Sequence, residues 1–200
     1  EIASNEFFAK RGIKQGEFYL MTFHRRENVH IRESFENILN LLGHTNRKIY
    51  FAASYRTQKV LTEYGLSVPE NVTIVDPIGY QEMLVLMVNS RGVITDSGTV
   101  VEETCVLQVP SLQIRKATER PQVYDAKSSV KYDPTQPDSY PHELIFKKFE
   151  NLYSKNWEHN LGDGKASERV VKDLLFRLRN DGFRMHKPED YHLKINRSYR

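Results

Sequence analysis

Apolar residues between positions 17 and 114 follow two different periods in turn. Short runs of apolar and β-prone residues predict buried strands at 17–24, 48–53, 71–75, 92–95 and 110–114. Between them, apolar residues at helical spacing predict helices at 32–42, 57–64, 80–89 and 99–107. Two further helices are predicted near 142–154 and 165–178, after a proline-containing loop at 133–142.

The alternation of strand and helix predicts the fold class. It indicates an α/β fold, with a doubly wound parallel sheet and helices on both faces. We expect residues 1–180 to form one domain and the polar residues 181–200 to form a C-terminal arm or tail. Ligands of such sheets bind beyond the carboxyl ends of the strands, which directs attention to His24 and to Asp96-Ser97-Gly98.

Composition argues against several classes of protein but does not point to a particular ligand or reaction. The formal net charge of +3 is small, and the basic residues are interspersed with acids, so no basic stripe indicates nucleic acid. No apolar stretch reaches the length that a bilayer requires, and the first residues do not resemble a signal peptide. The single cysteine, Cys105, excludes an intrachain disulfide framework, and the scattered histidines predict no metal site. We therefore expect a cytoplasmic globular protein, and the absence of an initial Met predicts a fragment or a processed chain.

Residues 95–103 (TDSGTVVEE) carry the clearest candidate chemistry. A predicted strand ends at Asp96, Gly98 lets the backbone turn and approach a ligand, and a helix begins at once. The first N–H groups of that helix lack internal partners and can bind a phosphate, with added hydrogen bonds from Ser97 and Thr99. The alternative is an ordinary serine N-cap followed by a glycine turn. Spacing alone leaves both interpretations open.

Two other polar segments follow predicted strands. Pro121 favours an extended Arg120, whose guanidinium can either clamp a phosphate or pair with a glutamate to order its loop. Residues 24–28 (HRREN) form a candidate substrate loop, with a purely structural role for His24 as the alternative. Walker A, G-x-G-x-x-G and G-x-S-x-G signatures are absent, which argues against NTPase, classical dehydrogenase and serine hydrolase functions.

Taken together, these motifs resemble a known family. T-x-H-R-R-E-N, V-D-P-x-x-Y, T-D-S-G-x-x-x-E-E and T-E-R-P occur in the order and spacing of the C-terminal half of the non-hydrolysing UDP-N-acetylglucosamine 2-epimerases. The resemblance extends from about residue 17 to residue 122, and residues 162–169 resemble the start of a late family helix. It implies a GT-B fold of two Rossmann-like domains, with residues 1–180 as the nucleotide-sugar-binding C-terminal domain. The acid/base carboxylates would then belong to an N-terminal domain that we expect to be missing here.

The resemblance also implies roles for individual residues. The implied substrate-binding residues are Ser97, Gly98 and Thr99 at the diphosphate, Glu103 at the ribose, Arg120 near the phosphates and Met83 at the uracil. His24 matches a histidine of the catalytic cleft. In the implied reaction a base removes the C2 proton of the sugar, UDP leaves from C1, and UDP adds back after the proton returns on the other face. This reaction needs no cofactor and no metal.

The implied partners are a UDP-sugar, the missing N-terminal domain and, in the full-length enzyme, a second copy in a homodimer. Thr99, Arg56-Thr57 and the long tail suggest the branch that acts on 6-deoxy sugars, such as the UDP-N-acetyl-L-fucosamine synthases of capsule and O-antigen pathways. Two alternatives belong to other classes. One is a GT-B glycosyltransferase, against which the H-R-R-E-N and T-E-R-P pair argues. The other is a non-catalytic UDP-sugar-binding module.

Overall fold

Residues 4–180 are described by a computed structural model, so the predicted arm at 181–200 lies outside the described residues. The strands are β1 (Phe18–Thr22), β2 (Lys48–Ala52), β3 (Val72–Val75), β4 (Gly92–Thr95), β5 (Ser111–Ile114) and β6 (Ser129–Tyr132). The helices are α1 (Asn5–Ala9), α2 (Arg26–Val29), α3 (Arg32–Leu42), α4 (Tyr55–Glu63), α5 (Tyr80–Val88), α6 (Gly98–Val106), α7 (Gln122–Asp125), α8 (His142–Glu150) and α9 (Ala166–Asn180).

Contacts between residues divide the chain into two compact units. The first unit is residues 1–161, and the second begins at residue 162 and contains α9. The side chains of α9 are exposed. Within residues 4–180, no helix combines the length and the apolar character that crossing a bilayer requires.

The sheet of the first unit has the strand order β3-β2-β1-β4-β5-β6, and every neighbouring pair is parallel. This is the doubly wound order, in which the chain builds outward from β1 to β3 and then returns to build outward from β4. The predicted fold class is therefore confirmed. Because the winding reverses between β1 and β4, a crevice opens beyond their carboxyl ends, where Thr22 pairs with Thr95.

Successive side chains of β1 point to opposite faces of the sheet, and they belong to two hydrophobic clusters, one on each face. Tyr19 and Met21 belong to a cluster with α3, α4 and α8, whereas Phe18 and Leu20 belong to a cluster with α1 and α5. All four side chains are at most 1% exposed. A strand that is buried on both faces accounts for the unbroken apolar run in this part of the sequence.

The elements α1, α2, α7 and β6 were not predicted from the hydrophobic pattern. The sequence of β6 (SVKY) is only four residues long, too short for its alternation to stand out, and it pairs with β5 from Ser111↔Ser129 to Ile114↔Tyr132. Tyr132 is then buried in the cluster that contains α8. The helices α2 and α7 have four residues each, too few to show a helical period.

An ion-pair network at the amino ends of the strands attaches α8 to the sheet. The carboxylate of Glu150 accepts hydrogen bonds from Arg47, from the Tyr19 hydroxyl and, at 2.8 Å, from Nε of Arg91. Burial raises the pKa of Tyr19, so its hydroxyl remains a donor. Desolvation acts to raise the pKa of Glu150, but the hydrogen bonds from Arg47, Tyr19 and Arg91 outweigh it and lower that pKa. One ionised carboxylate thus connects the end of α8 with the residues that precede β2 and β4.

Replacing Glu150 by Gln should lower the free energy of unfolding by about 1.5–3 kcal/mol at about pH 7, because two arginines lose their ionised partner. A carboxylate whose pKa is depressed in the folded state stabilises the protein above its unfolded pKa. That contribution is lost as the pH falls from the ordinary glutamate pKa of 4.5 through the lower folded pKa, so the difference between variant and parent should shrink over that range. Urea unfolding followed by circular dichroism at several pH values measures both effects.

Glu6→Gln is the matched control for this substitution. Glu6 pairs with Lys10 at 2.8 Å, but both side chains are at least 70% exposed. Its removal should change the free energy of unfolding by less than about 0.5 kcal/mol. If both substitutions destabilise the protein equally and without dependence on pH, the network does not stabilise α8.

Candidate functional site

Two loop segments meet in the crevice between β1 and β4. The first strand leads into residues 23–25 and then α2, whereas β4 leads into Asp96 and into Ser97, the N-cap of α6. Since Thr22 and Thr95 are paired in the sheet, the segments that follow them lie side by side. Polar residues that are far apart in the sequence are thereby brought together at the switch point of the fold.

The buried carboxylate of Asp96 joins these two segments. Its Oδ2 accepts hydrogen bonds from the backbone N–H of Arg25 at 2.8 Å and from the side-chain amide of Asn28 at 3.0 Å. The backbone N–H of His24 lies 3.2 Å from Oδ1 and 3.1 Å from Oδ2. Burial raises the pKa of Asp96, and the hydrogen bonds from Arg25 and Asn28 together with nearby His24 oppose that shift.

His24, the predicted catalytic residue, lies at this crevice. Its side chain is 55% exposed, and its Nδ1 lies 3.7 Å from Oδ1 of Asp96. The neighbouring Asn28 is 1% exposed and also donates to the carbonyl of Ile114 at 3.1 Å. The loop that carries His24 is therefore held by the ends of two strands, β4 and β5.

The start of α6 has the local structure of an anion site. The hydroxyl of Ser97 accepts a hydrogen bond from the N–H of Val100 at 3.4 Å, which is the N-cap interaction. Gly98 is the first residue of the helix and has no positive φ, so turn geometry does not require a glycine there. Thr99 is exposed on the first turn. The first N–H groups and the helix dipole give this end a positive potential.

A carboxylate already lies against this helix start. A Cβ atom on Gly98 would stand 2.8 Å from Oε1 of Glu119. The same Oε1 accepts from Nη2 of Arg25 at 3.0 Å, and Oε2 accepts from Nη2 of Arg115 at 3.0 Å. The pKa of Glu119 is lowered by a hydrogen bond from its own backbone N–H and by the two arginines. The two arginines thus stabilise a negative charge at this position of the crevice.

A second cleft, of about 450 Å³, lies between α5 and α6. At its polar end Oε1 of Glu103 accepts a hydrogen bond from the Tyr80 hydroxyl at 3.0 Å. This hydrogen bond raises the pKa of Tyr80. Oε1 of Glu102 lies 2.7 Å from Nε of Arg120, so the pairing of Arg120 with a glutamate is present in this structure. The apolar part of the lining consists of Leu84, Val106, Leu107 and Leu161.

Met83, predicted to contact uracil, lies on α5 in the turn that follows Tyr80. It is partly buried and packs against the cluster that contains Leu86 and Met87. Met83 is absent from the lining of the cleft beside Glu103. The structure therefore places Ser97, Gly98 and Thr99 at the start of α6, with Glu103 farther along the same helix and Met83 on the adjacent one.

Sequence reasoning pointed to Asp96 as a strand end and to Asn28 as part of the 24–28 loop, but it missed Arg115. The Arg115 side chain is 10% exposed, and its Nη1 donates to the carbonyl of Asp96 at 3.4 Å. It also pairs with Glu119 and lies 3.8 Å from Glu27. Arg115 directly follows β5 just as Asp96 directly follows β4, so the expectation that ligands bind beyond the carboxyl ends of the strands could have identified Arg115 as well. The hydrogen bonds of Asn28 could not be predicted, because its partners are distant in the sequence.

The fold and its crevice define a doubly wound α/β domain of the class that binds ligands at a switch point. The sequence pattern of the UDP-N-acetylglucosamine 2-epimerase family matches residues 1–175. The chain is 32% identical over 170 residues to a UDP-N-acetylglucosamine 2-epimerase of Methanocaldococcus jannaschii. It is 36% identical over 160 residues to another from Salmonella borreze. This chain therefore belongs to the UDP-N-acetylglucosamine 2-epimerase family, which confirms the prediction made from its motifs.

These matches cover most of this chain but less than half of each relative. They include 80% of this chain and 45% of the M. jannaschii protein, and 76% of this chain and 42% of the S. borreze protein. The crystal structure of the M. jannaschii UDP-GlcNAc 2-epimerase in complex with UDP-GlcNAc and UDP matches with a TM-score of 0.69 at 32% identity. That match again covers 80% of this chain and 45% of the other.

Replacing Asn28 by Ala should lower the free energy of unfolding by about 2–3 kcal/mol, because Asp96 and the Ile114 carbonyl each lose a buried donor. Urea unfolding measures the loss. Asn40→Ala on the exposed surface of α3 is the matched control, and it should change the free energy by less than about 0.5 kcal/mol. A loss at Asn28 no larger than the loss at Asn40 would show that this amide does not hold the loop.

Proposed function

We propose that this chain is the UDP-binding C-terminal domain of a UDP-N-acetylhexosamine 2-epimerase. The observation that carries the proposal is the start of α6, where the guanidinium groups of Arg25 and Arg115 converge on an anionic group, the Glu119 carboxylate, beside Gly98. Membership of the epimerase family supports the same ligand, as do the UDP-GlcNAc and UDP in the M. jannaschii structure. The remaining part of the active site would come from an N-terminal domain of the same protein.

The diphosphate binds at the start of α6, where unpaired N–H groups and the helix dipole stabilise negative charge. The hydroxyls of Ser97 and Thr99 lie at the same helix end and add hydrogen bonds. Because the Glu119 carboxylate lies against this helix start, it turns away when the diphosphate enters. Its side chain is 44% exposed, which leaves it room to do so. Arg25 and Arg115 then donate to phosphate oxygens, the geometry that guanidinium groups favour.

The nucleoside lies along α6 and α5. Glu103 accepts hydrogen bonds from the ribose hydroxyls, and the hydroxyl of Tyr80 holds its carboxylate in place. Uracil contacts α5 at Met83, one turn from Tyr80. Arg120 exchanges its partner Glu102 for the phosphates, since both side chains are more than a third exposed. These contacts bind UDP and leave the sugar facing His24.

The reaction inverts C2 through elimination and return of UDP. A base removes the C2 proton, the C1–O bond to UDP breaks, and UDP adds back after a proton arrives on the opposite face. This chain stabilises the departing diphosphate with its helix start and arginines, in the manner of a preorganised electrostatic site. His24 contacts the substrate in the crevice, and the acid/base carboxylates belong to the N-terminal domain.

The substrate class and setting follow from the same resemblance. Thr99 and Arg56-Thr57 support a 6-deoxy UDP-N-acetylhexosamine, such as UDP-N-acetyl-L-fucosamine, in capsule or O-antigen precursor synthesis. The full-length enzyme would act as a cytoplasmic homodimer. The two alternatives, a GT-B glycosyltransferase and a non-catalytic binding module, predict different products from one experiment.

Incubating the whole enzyme without an acceptor, once with UDP-GlcNAc and once with UDP-N-acetyl-L-fucosamine, tests the proposal. We expect at least one of the two to interconvert with its C2 epimer, and deuterium from D2O to appear at C2, because the C2 proton is removed and replaced. A glycosyltransferase would form no epimer and would need an added acceptor. This chain alone should bind UDP without turnover, and epimer formation by this chain alone would contradict the need for an N-terminal domain.

Replacing Glu103 by Ala should weaken UDP binding by about 1–3 kcal/mol, roughly 5- to 150-fold in Kd, because a charge-assisted hydrogen bond to the ribose is lost. Isothermal titration of the whole enzyme with UDP measures the change. Glu63→Ala, at the exposed end of α4, is the matched control and should leave Kd unchanged. An unaltered Kd in the Glu103 variant would refute the ribose role.

A further inference from the structure

We propose that Asp96 is a positioning residue for the 2-epimerase reaction, which orients the imidazole of His24 and fixes the tautomer that meets the substrate. This inference rests on the proposed function, because it assumes that His24 contacts the reacting sugar. It is carried by the geometry of the crevice, in which a buried carboxylate lies directly behind an exposed histidine.

Asp96 is suited to this role because its carboxylate is buried and already held. The residue is 0% exposed, and its two oxygens accept from the backbone N–H groups of His24 and Arg25 and from the amide of Asn28. An aspartate with these donors has its orientation set before any ligand arrives. Since Ser97 follows it directly, the same residue also connects the His24 loop to the start of α6.

One nitrogen of the His24 ring lies near the Asp96 carboxylate, while much of the side chain is exposed in the crevice. Its Nδ1 lies 3.7 Å from Oδ1 of Asp96, while 55% of the side chain is exposed. With Nδ1 turned toward the carboxylate, Nε2 is the nitrogen left for the substrate. Carboxylates fix histidine tautomers by accepting from one ring N–H, which leaves the other nitrogen as an acceptor. At 3.7 Å the two atoms are close but not hydrogen-bonded, and catalytic hydrogen bonds are often long in apo structures and tighten in the substrate complex.

A purely structural role for Asp96 makes a different prediction, and Asp96→Asn separates the two. The asparagine keeps the shape and one acceptor oxygen for the loop, but it removes the charge that faces His24. If Asp96 acts through His24, the substitution should lower kcat of the whole enzyme by about 100-fold, the scale of a misplaced catalytic group. KM should change much less. In a His24→Ala background, the same substitution should lower kcat by less than about threefold.

Equal losses of kcat in the two backgrounds would overturn the inference, because they would show that Asp96 acts independently of His24. Absence of epimerisation by the unaltered enzyme is a separate result, and it would refute the proposed function instead. An unchanged kcat in the Asp96→Asn variant would also overturn the positioning role. Circular dichroism and urea unfolding of each variant establish that the comparison is made between folded proteins.

A measurement on the unaltered chain decides the question if Asp96→Asn does not fold. In protein labelled with ¹⁵N-histidine, the chemical shifts of the two His24 ring nitrogens identify the tautomer of the neutral ring. We expect the Nδ1–H form, with Nε2 unprotonated. A predominant Nε2–H form would overturn the inference whether or not the enzyme is an epimerase. His24→Ala assigns the resonances by their loss.

Discussion

The crevice of this domain depends on one interaction, the acceptance of three backbone and side-chain donors by the buried carboxylate of Asp96. These hydrogen bonds connect the loop after β1 to the end of β4, which are separated by about 70 residues along the chain. Each donor is an N–H group that would lack a partner if the carboxylate were absent, and a buried unpaired donor is costly. The loop that carries His24 and Arg25 is thus held at the start of α6.

The second constraint is the balance of charge around that helix start. Arg25 and Arg115 meet at Glu119, while Arg120 is neutralised by Glu102. In the free chain these pairs keep the guanidinium groups close to one another without leaving a concentrated positive charge unpaired. Under the proposed function, an incoming diphosphate would exchange one anion for another, so the arginines would need little rearrangement. Preorganisation of this kind lets a site stabilise developing charge without a large structural change.

Much of this arrangement was predictable from the sequence. The alternation of periods placed the first five strands and their helices, because a strand buried on both faces and an amphipathic helix leave different apolar spacings. The motifs at residues 22–28, 75–80, 95–103 and 118–121, taken together, identified the family, although spacing alone left the interpretation of each one open. The strand β6 was not predicted, because its four residues are too few to show a clear period and only their pairing with β5 identifies them as a strand.

The sequence by itself determined the periodicity, the strand ends and the residue types available for chemistry, which are all local properties of the chain. Tertiary structure alone decided which of those residues meet: that Asp96 lies behind His24, that Arg115 is buried beside Glu119, and that the Glu119 carboxylate lies against Gly98. The physical reason is that strand order is set by the packing of both sheet faces and by the reversal of winding between β1 and β4. Contacts across that reversal join distant residues, and no local pattern encodes them.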